Sequence, residues 1–319
     1  MSAKSDTYAI VTAAYNEERY IEGTLRSVIG QSRLPEKWVV VSDGSTDRTD
    51  EIVRQYSTQY KFIQLHRITE THERNWSAQV YAINAGFSIV ESLNTTYIGN
   101  LDADITLPPY YFERLLAKFS AQNDLGIAGG YIHELQDNEF RNRKDNNPRS
   151  VPHAVQLFRR QCFAAVHPYA PLIYGGPDWY AEILARMAGW TVQAFPDLPV
   201  NHHRPTGSAG GFRSLVRYWY RQGQMDHGFG TLPSFELLKL ARRLASRPAV
   251  IGALARLTGY CLGHLSRRKR LLPEHVICFL RDEQHQRLRA FFNGRRNGER
   301  WSSYHGDQLP QEDDLVRPK

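Results

Sequence analysis

Asp102 and Asp104 flank Ala103 at the end of the run TYIGNLD (96–102), and Pro108 and Pro109 follow. In an extended chain, residues i and i+2 point the same way. Two carboxylates facing one side repel each other unless a cation sits between them. Oxygen ligands favour Mg²⁺ or Mn²⁺, and Mg²⁺ commonly shares its shell with substrate phosphates. A second acidic group, Asp43-Gly44-Ser45-Thr46-Asp47, follows the apolar run WVVVS (38–42). Asp43 can accept from a base N–H or a ribose hydroxyl there, while Thr46 and Asp47 suit the start of a helix. A third, Ala14-Tyr15-Asn16-Glu17-Glu18, follows YAIVTAA (8–14). Three acidic loops at three successive strand ends point to one shared ligand.

Positioning these loops requires a sheet. Strand-like runs at 8–14, 38–42, 61–67, 96–102 and 126–134 alternate with amphipathic stretches that begin near Ile21, Thr46, Glu73 and Pro108. This βαβα order predicts a mostly parallel sheet with helices on both faces. Ligands of such sheets bind outside the carboxyl ends of the strands. Residues 135–153 show almost no apolar periodicity and are expected to form a solvated loop or a lid over the site. Helices are expected at 155–166 and 178–188, and a short strand at 191–195.

From Gly211 onward only helical signals remain, near 212–222, 234–246, 249–265 and 274–293. The expected organisation is therefore a sheet domain over 1–210, a basic helical extension over 211–293 and a polar tail over 294–319. Between Glu236 and Glu274 there is no acidic residue, whereas basic residues recur from Lys239 to Arg270. PAVIGALARLTGYCLGHL (248–265) is interrupted by Arg256 and His264, which makes a poor spanning helix. Two readings stand for it: packing on the catalytic domain, or peripheral contact with a membrane surface.

Composition narrows the classes. The 319 residues are 41% hydrophobic and carry a net charge of +7, which excludes wholesale disorder. The positive excess sits beside apolar residues in the C-terminal helices, so nucleic acid is not an expected partner. Cys162, Cys261 and Cys278 are too scattered for a disulfide scaffold or a zinc site. No apolar leader opens the chain, and a cytoplasmic location, at the membrane face, is expected.

The motifs AYNEE (14–18), DGSTD (43–47), HERNWSAQVYAINAG (72–86), LDADITLPPYYFERLL (101–116) and GPDWYAEILARMAGW (176–190) together resemble the inverting glycosyltransferases of family 2, over roughly residues 8–225. The resemblance implies a GT-A fold that binds a nucleoside-diphosphate sugar. It places Asp43 at the base, Glu17 near the ribose with Ala14 and Tyr15 beside it, and Asp102, Ala103 and Asp104 at the donor and its metal. Arg74 falls where a basic residue near the donor is common. Asp178 matches the catalytic base, although relatives often show Glu-Asp where this chain has Pro177-Asp178; Glu182, one turn on, is the reserve candidate. The resemblance also implies an acceptor glycan or lipid-linked glycan in cell-surface polysaccharide or glycolipid synthesis.

His202, His203 and Arg204 follow the strand expected at 191–195. Adjacent histidines face opposite ways in an extended chain, so one faces the site; His203 is assigned as a third metal ligand or diphosphate contact, with Arg204 assisting. Arg221-Gln222-Gly223-Gln224 lacks the Trp of the processive QxxRW element, so a non-processive enzyme is expected. The alternatives are a nucleotidyltransferase, disfavoured by the acidic first loop, and an inactive membrane-associated scaffold.

Overall fold

A computed structural model of the protein describes residues 6–68, 76–204, 211–244 and 249–296. Nine strands form one sheet in the order β3-β2-β1-β4-β8-β6-β9-β5, with β7 paired to β6. The strands are β1 (Tyr8–Ala14), β2 (Lys37–Ser42), β3 (Ile63–Arg67), β4 (Tyr97–Asn100), β5 (Ile105–Thr106), β6 (Leu125–Gln136), β7 (Glu139–Asn142), β8 (Leu157–Arg159) and β9 (Thr191–His202). β3, β2, β1 and β4 are parallel neighbours, as are β6 and β9. β8 runs antiparallel between β4 and β6.

Burial on both faces explains the continuous apolar runs of the central strands. Tyr8, Ile10, Trp38 and Val40 enter one core, with α1 (Ile21–Ile29) and α4 (Tyr111–Ala121). Ala9, Val11, Val39 and Val41 enter the other, with α3 (Trp76–Val90), α5 (Arg160–Val166) and α6 (Pro177–Met187). α2 (Thr49–Gln59) connects β2 to β3. All strands of the parallel half end on the side where the three acidic loops lie.

Three elements differ from the sequence expectation. The polar stretch from 135 is not wholly a loop: β6 continues to Gln136 and turns back as β7. Asp137 and Asn138 both take positive φ, 51° and 65°, as a two-residue hairpin turn requires. β7 buries no face, so it carries no apolar alternation. The helix expected from 155 starts only at Arg160, because Leu157–Arg159 is drawn into the sheet as β8. The strand expected at 191–195 runs on to His202, across a register shift against β6.

Beyond 211 the described elements are helices: α7 (Gly211–Gly228), α8 (Pro233–Arg243), α9 (Ala249–Leu265) and α10 (Glu274–Arg296). α7 and α9 cross at glycines; a Cβ on Gly223 would lie 1.9 Å from the Arg256 carbonyl oxygen, and one on Gly259 2.0 Å from that of Tyr220. Only glycine permits this approach. A buried ion network binds α7, α8 and α9: Asp226 accepts from Lys239 and Arg256, and Arg256 Nε donates to Glu236 at 2.7 Å. Phe229, just after α7, and Val276, Ile277 and Leu280 of α10 pack with Ile183 of α6. α9 therefore packs on the protein with one face and leaves Val250, Ile251, Leu254, Leu262 and Leu265 exposed on the other. Among the described residues, no helix is long and apolar enough to cross a membrane.

Candidate active site

The first two acidic loops are tied to each other. Asn16 adopts φ 55° and its Oδ1 accepts from the Thr46 N–H at 2.8 Å. The Glu17 N–H donates to Thr49 Oγ1 at 2.7 Å, and the Glu18 N–H to Asp47 Oδ2 at 3.0 Å. Asp47 Oδ1 accepts from the Thr49 N–H at 3.0 Å and from its hydroxyl at 2.6 Å. Asp47 thus braces one loop against the other rather than serving only the start of α2, and these bonds hold its carboxyl below the usual range although burial opposes them. With its backbone held this way, Glu17 turns its side chain towards the third loop.

Arg204 joins them there. Its guanidinium donates to Glu17 Oε1 at 2.7 Å and lies 2.9 Å from Asp104 Oδ2. The other Glu17 oxygen is buried with no hydrogen-bond partner among the described residues. Burial, with the nearby charges of Asp104 and Asp102, raises the Glu17 pKa against the pull of Arg204.

His202 Nε2 stands 3.3 Å from Asp104 Oδ1. Burial disfavours its charged form, but the hydrogen bond to Asp104 and the charges of Asp104, Asp102 and Glu134 outweigh it, so its pKa is raised. His153 Nδ1 lies 3.4 Å from Asp102 Oδ1, and Gln79 Nε2 donates to the same oxygen at 3.3 Å. Burial works against the Asp102 charge, yet His153, His202 and Arg204 hold its pKa below the ordinary value. Asp102, Asp104 and His202 each offer one ligand atom within 4.8 Å of the others. Two carboxylate oxygens and an imidazole nitrogen, with the unpaired Glu17 oxygen nearby, fit a divalent cation.

His203, assigned from sequence to this cluster, is not in it. Its Nε2 pairs with Thr106 Oγ1 at 3.0 Å and its ring meets Phe140 edge-on at 5.0 Å. The reason is strand parity. β9 continues to His202, which shares a face with the buried Leu198 and Val200, so the next residue turns away. That parity was the available signal, hidden by ending the strand at 195.

These groups line a cleft of about 830 Å³. Glu17, Ala103 and Arg204 enter it from the loops, and Asp178 from the first turn of α6. Asp178 Oδ2 accepts from the His153 N–H at 3.2 Å. Its reserve, Glu182, is 1% exposed and accepts from the Val151 N–H at 2.6 Å and Ser150 Oγ at 3.1 Å. It clamps the chain ahead of His153 instead of facing the cleft. Ala14, Tyr15 and Asp43 lie at the neighbouring strand ends, outside the lining of the cleft; the Asp43 N–H donates to the Ala14 carbonyl at 3.0 Å. Arg74 lies outside the described residues. Arg143, Arg217 and Arg221 also line the cleft, the last two from α7. Sequence reading missed His153, Arg143 and Arg217, because only the folded chain carries the polar 143–153 segment and α7 to the strand ends.

The family model for glycosyl transferase family 2 matches residues 9–217. The chain is a member of glycosyl transferase family 2. Glycosyltransferase AglE of Haloferax volcanii is 25% identical over 232 residues, covering 68% of this chain and 71% of that protein. The teichoic acid poly(glycerol phosphate) polymerase of Staphylococcus epidermidis is 31% identical over 121 residues, but that match spans 36% of this chain and only 15% of the polymerase. Among solved structures, the mannosyltransferase PcManGT of Pyrobaculum calidifontis, in complex with GDP-Man and Mn²⁺, superposes with a TM-score of 0.52 at 16% identity, covering 85% of this chain and 72% of that one. The likeness shows the GT-A fold that the motifs implied, and the chain spans about a third or less of the length of most of the curated relatives it matches.

Proposed function

We propose that this family 2 enzyme transfers a sugar from a nucleoside-diphosphate sugar to an acceptor hydroxyl in one displacement, with inversion at the anomeric carbon and without processivity. The observation that carries this is the arrangement around His153, whose side chain meets Asp102 of the acidic cluster while its main chain meets Asp178. Asp102, Asp104 and His202 would hold Mg²⁺ or Mn²⁺, and Arg204 with Glu17 would orient the diphosphate and ribose. Bound there, the cation supplies positive charge against the leaving diphosphate. Asp43, with Ala14 and Tyr15, would meet the base. Asp178 takes the acceptor hydroxyl's proton as that oxygen bonds to the anomeric carbon and the bond to the diphosphate oxygen breaks. The complexes of PcManGT with GDP-Man and Mn²⁺ and of GalNAc-T7 with UDP and Mn²⁺ support this donor class.

The acceptor we propose is a glycan or lipid-linked glycan of the cell surface, met at the cytoplasmic face of a membrane. The exposed apolar face of α9 supports this, together with the exposed Arg267 and Lys269 beyond it.

The deciding experiment is a thermal-shift screen of nucleoside diphosphates and their sugars, with and without Mn²⁺ or Mg²⁺. Binding to the native state raises the melting temperature. A metal-dependent rise with one nucleotide, absent in Asp104→Ala, is the expected result. No rise with any nucleotide would overturn the donor site.

A further inference from the structure

A second cavity, of about 590 Å³, adjoins the donor cleft. Gln222 and Met225 of α7 line both. Asp178 and Glu182, one turn apart on α6, divide between them, the first in the cleft and the second in the cavity. The 145–150 segment and helices α6 to α10 supply the rest of the lining. Its size is that of a site for a small organic ligand.

Its electrostatics select the ligand. Six cationic side chains line it against four carboxylates. Asp226 is taken up by Lys239 and Arg256. Glu283 is taken up by Arg186, which donates to it at 2.8 and 3.2 Å. Burial pushes Glu182 up to about 8, so it is uncharged at neutral pH. Arg149 and Arg287 have no carboxylate within ion-pair distance among the described residues. Burial lowers the Arg287 pKa; Glu283 pulls against it, and the charges of Arg186 and Arg149 press the same way as burial. Like charges gathered in a concave site are stabilised by an anion between them.

A neutral donor points to the same place. Gln284 is 2% exposed; its Oε1 accepts from the Leu232 N–H at 2.9 Å, but its Nε2 has no partner among the described residues. A buried amide donor left unpaired pays its desolvation without return, and a ligand acceptor would relieve that cost. Trp179, Phe235 and Phe291 add aromatic surface to the lining.

We propose that this cavity binds the phosphate-bearing part of the acceptor, held by Arg149, Arg287 and the Gln284 amide. The assignment of the ligand as acceptor rests on reading the neighbouring cleft as the donor site. The phosphate can come from a phosphodiester within a glycan or polyol chain, or from a lipid-linked diphosphate. Both present the same oxygens, and an acceptor seated here would reach Asp178 past Gln222 and Met225.

Isothermal titration with sn-glycerol 3-phosphate and with farnesyl diphosphate, both without added metal, tests this. Binding of either probe is expected, weakened at least tenfold in the Arg149→Gln/Arg287→Gln double variant and unchanged in Asp104→Asn. The tighter of the two probes names the source of the phosphate. If the double variant fails to fold, Gln284→Glu keeps the Leu232 acceptor, sets a carboxylate oxygen where the donor stood, and is expected to abolish binding. No binding of either probe to the wild type overturns the proposal, as does binding that survives in the Arg variants. Loss in Asp104→Asn alone places the probe in the donor cleft and also overturns it. Failure of the donor reading shows separately, as absence of the metal-dependent nucleotide shift.

Discussion

Asp102 and Asp178 share one neighbour: His153 reaches the first with its Nδ1 at 3.4 Å and receives the second at its main-chain N–H, 3.2 Å away. The two carboxylates come from successive motifs some 76 residues apart, on the loop after β4 and on α6. A single residue of a polar segment sets their separation, and so ties the donor end of the cleft to the proposed base.

Replacing that base isolates chemistry from binding. Asp178→Asn keeps a hydrogen-bond acceptor for the His153 N–H, so the fold and the cleft should survive. Transfer is expected to fall by about 10²–10⁴-fold, the range of a lost general base. Donor binding, read by thermal shift, should stay within about twofold. Near-normal transfer would remove Asp178 from the reaction.

The two adjacent histidines give a sharper test of the cation site. His202→Ala should abolish or weaken by more than tenfold the metal-dependent nucleotide shift, because it removes a ligand atom from the cluster. His203→Ala should leave that shift in place, since its partner is Thr106. The reverse pattern would refute the placement of β9.

Arg204 spans Glu17 and Asp104. Arg204→Gln removes charge-assisted bonds of about 1.5–3 kcal/mol and is expected to raise the nucleotide Kd by roughly 10–100-fold. Direct titration with the nucleotide and Mn²⁺ reads this. An unchanged Kd would restrict Arg204 to holding the loops.

Glu182 carries a pH signature. Its folded pKa is about 8, raised mainly by burial, against an ordinary value of 4.5. The folded state therefore holds a proton that the unfolded chain releases. That contribution is fully present below about pH 4.5 and is lost as pH rises through 8. Thermal melts between pH 6 and pH 9 should show a falling midpoint in the wild type and a flatter profile in Glu182→Gln. Parallel profiles would show that Glu182 is not the group responsible.

The membrane proposal rests on the exposed face of α9, and the basic residues after it are not equivalent. Arg268 donates to Tyr174 and Arg270 to the His227 carbonyl, so neutralising them disturbs the fold. Arg267→Gln with Lys269→Gln should weaken sedimentation with anionic liposomes several-fold without changing the melting temperature. Wild-type protein that fails to sediment with anionic liposomes would reject the contact.

Much of this molecule was legible in its residues. The apolar runs of β1, β2 and β4 required burial on both faces, and the acidic loops at their ends marked where a ligand sits. Those signals are local: strand period, turn residues and the spacing of Asp102 and Asp104 act within a few positions. The tertiary structure decided what local chemistry cannot encode. β8 and β9 took their lengths from pairing partners, and the parity of β9 chose His202 over His203. Glu182, a fair candidate base by spacing alone, was turned inward by the helix face it occupies. His153 and the second cavity arise only when a polar segment and the C-terminal helices close on α6, because burial and partnership belong to the assembled chain rather than to any segment of it.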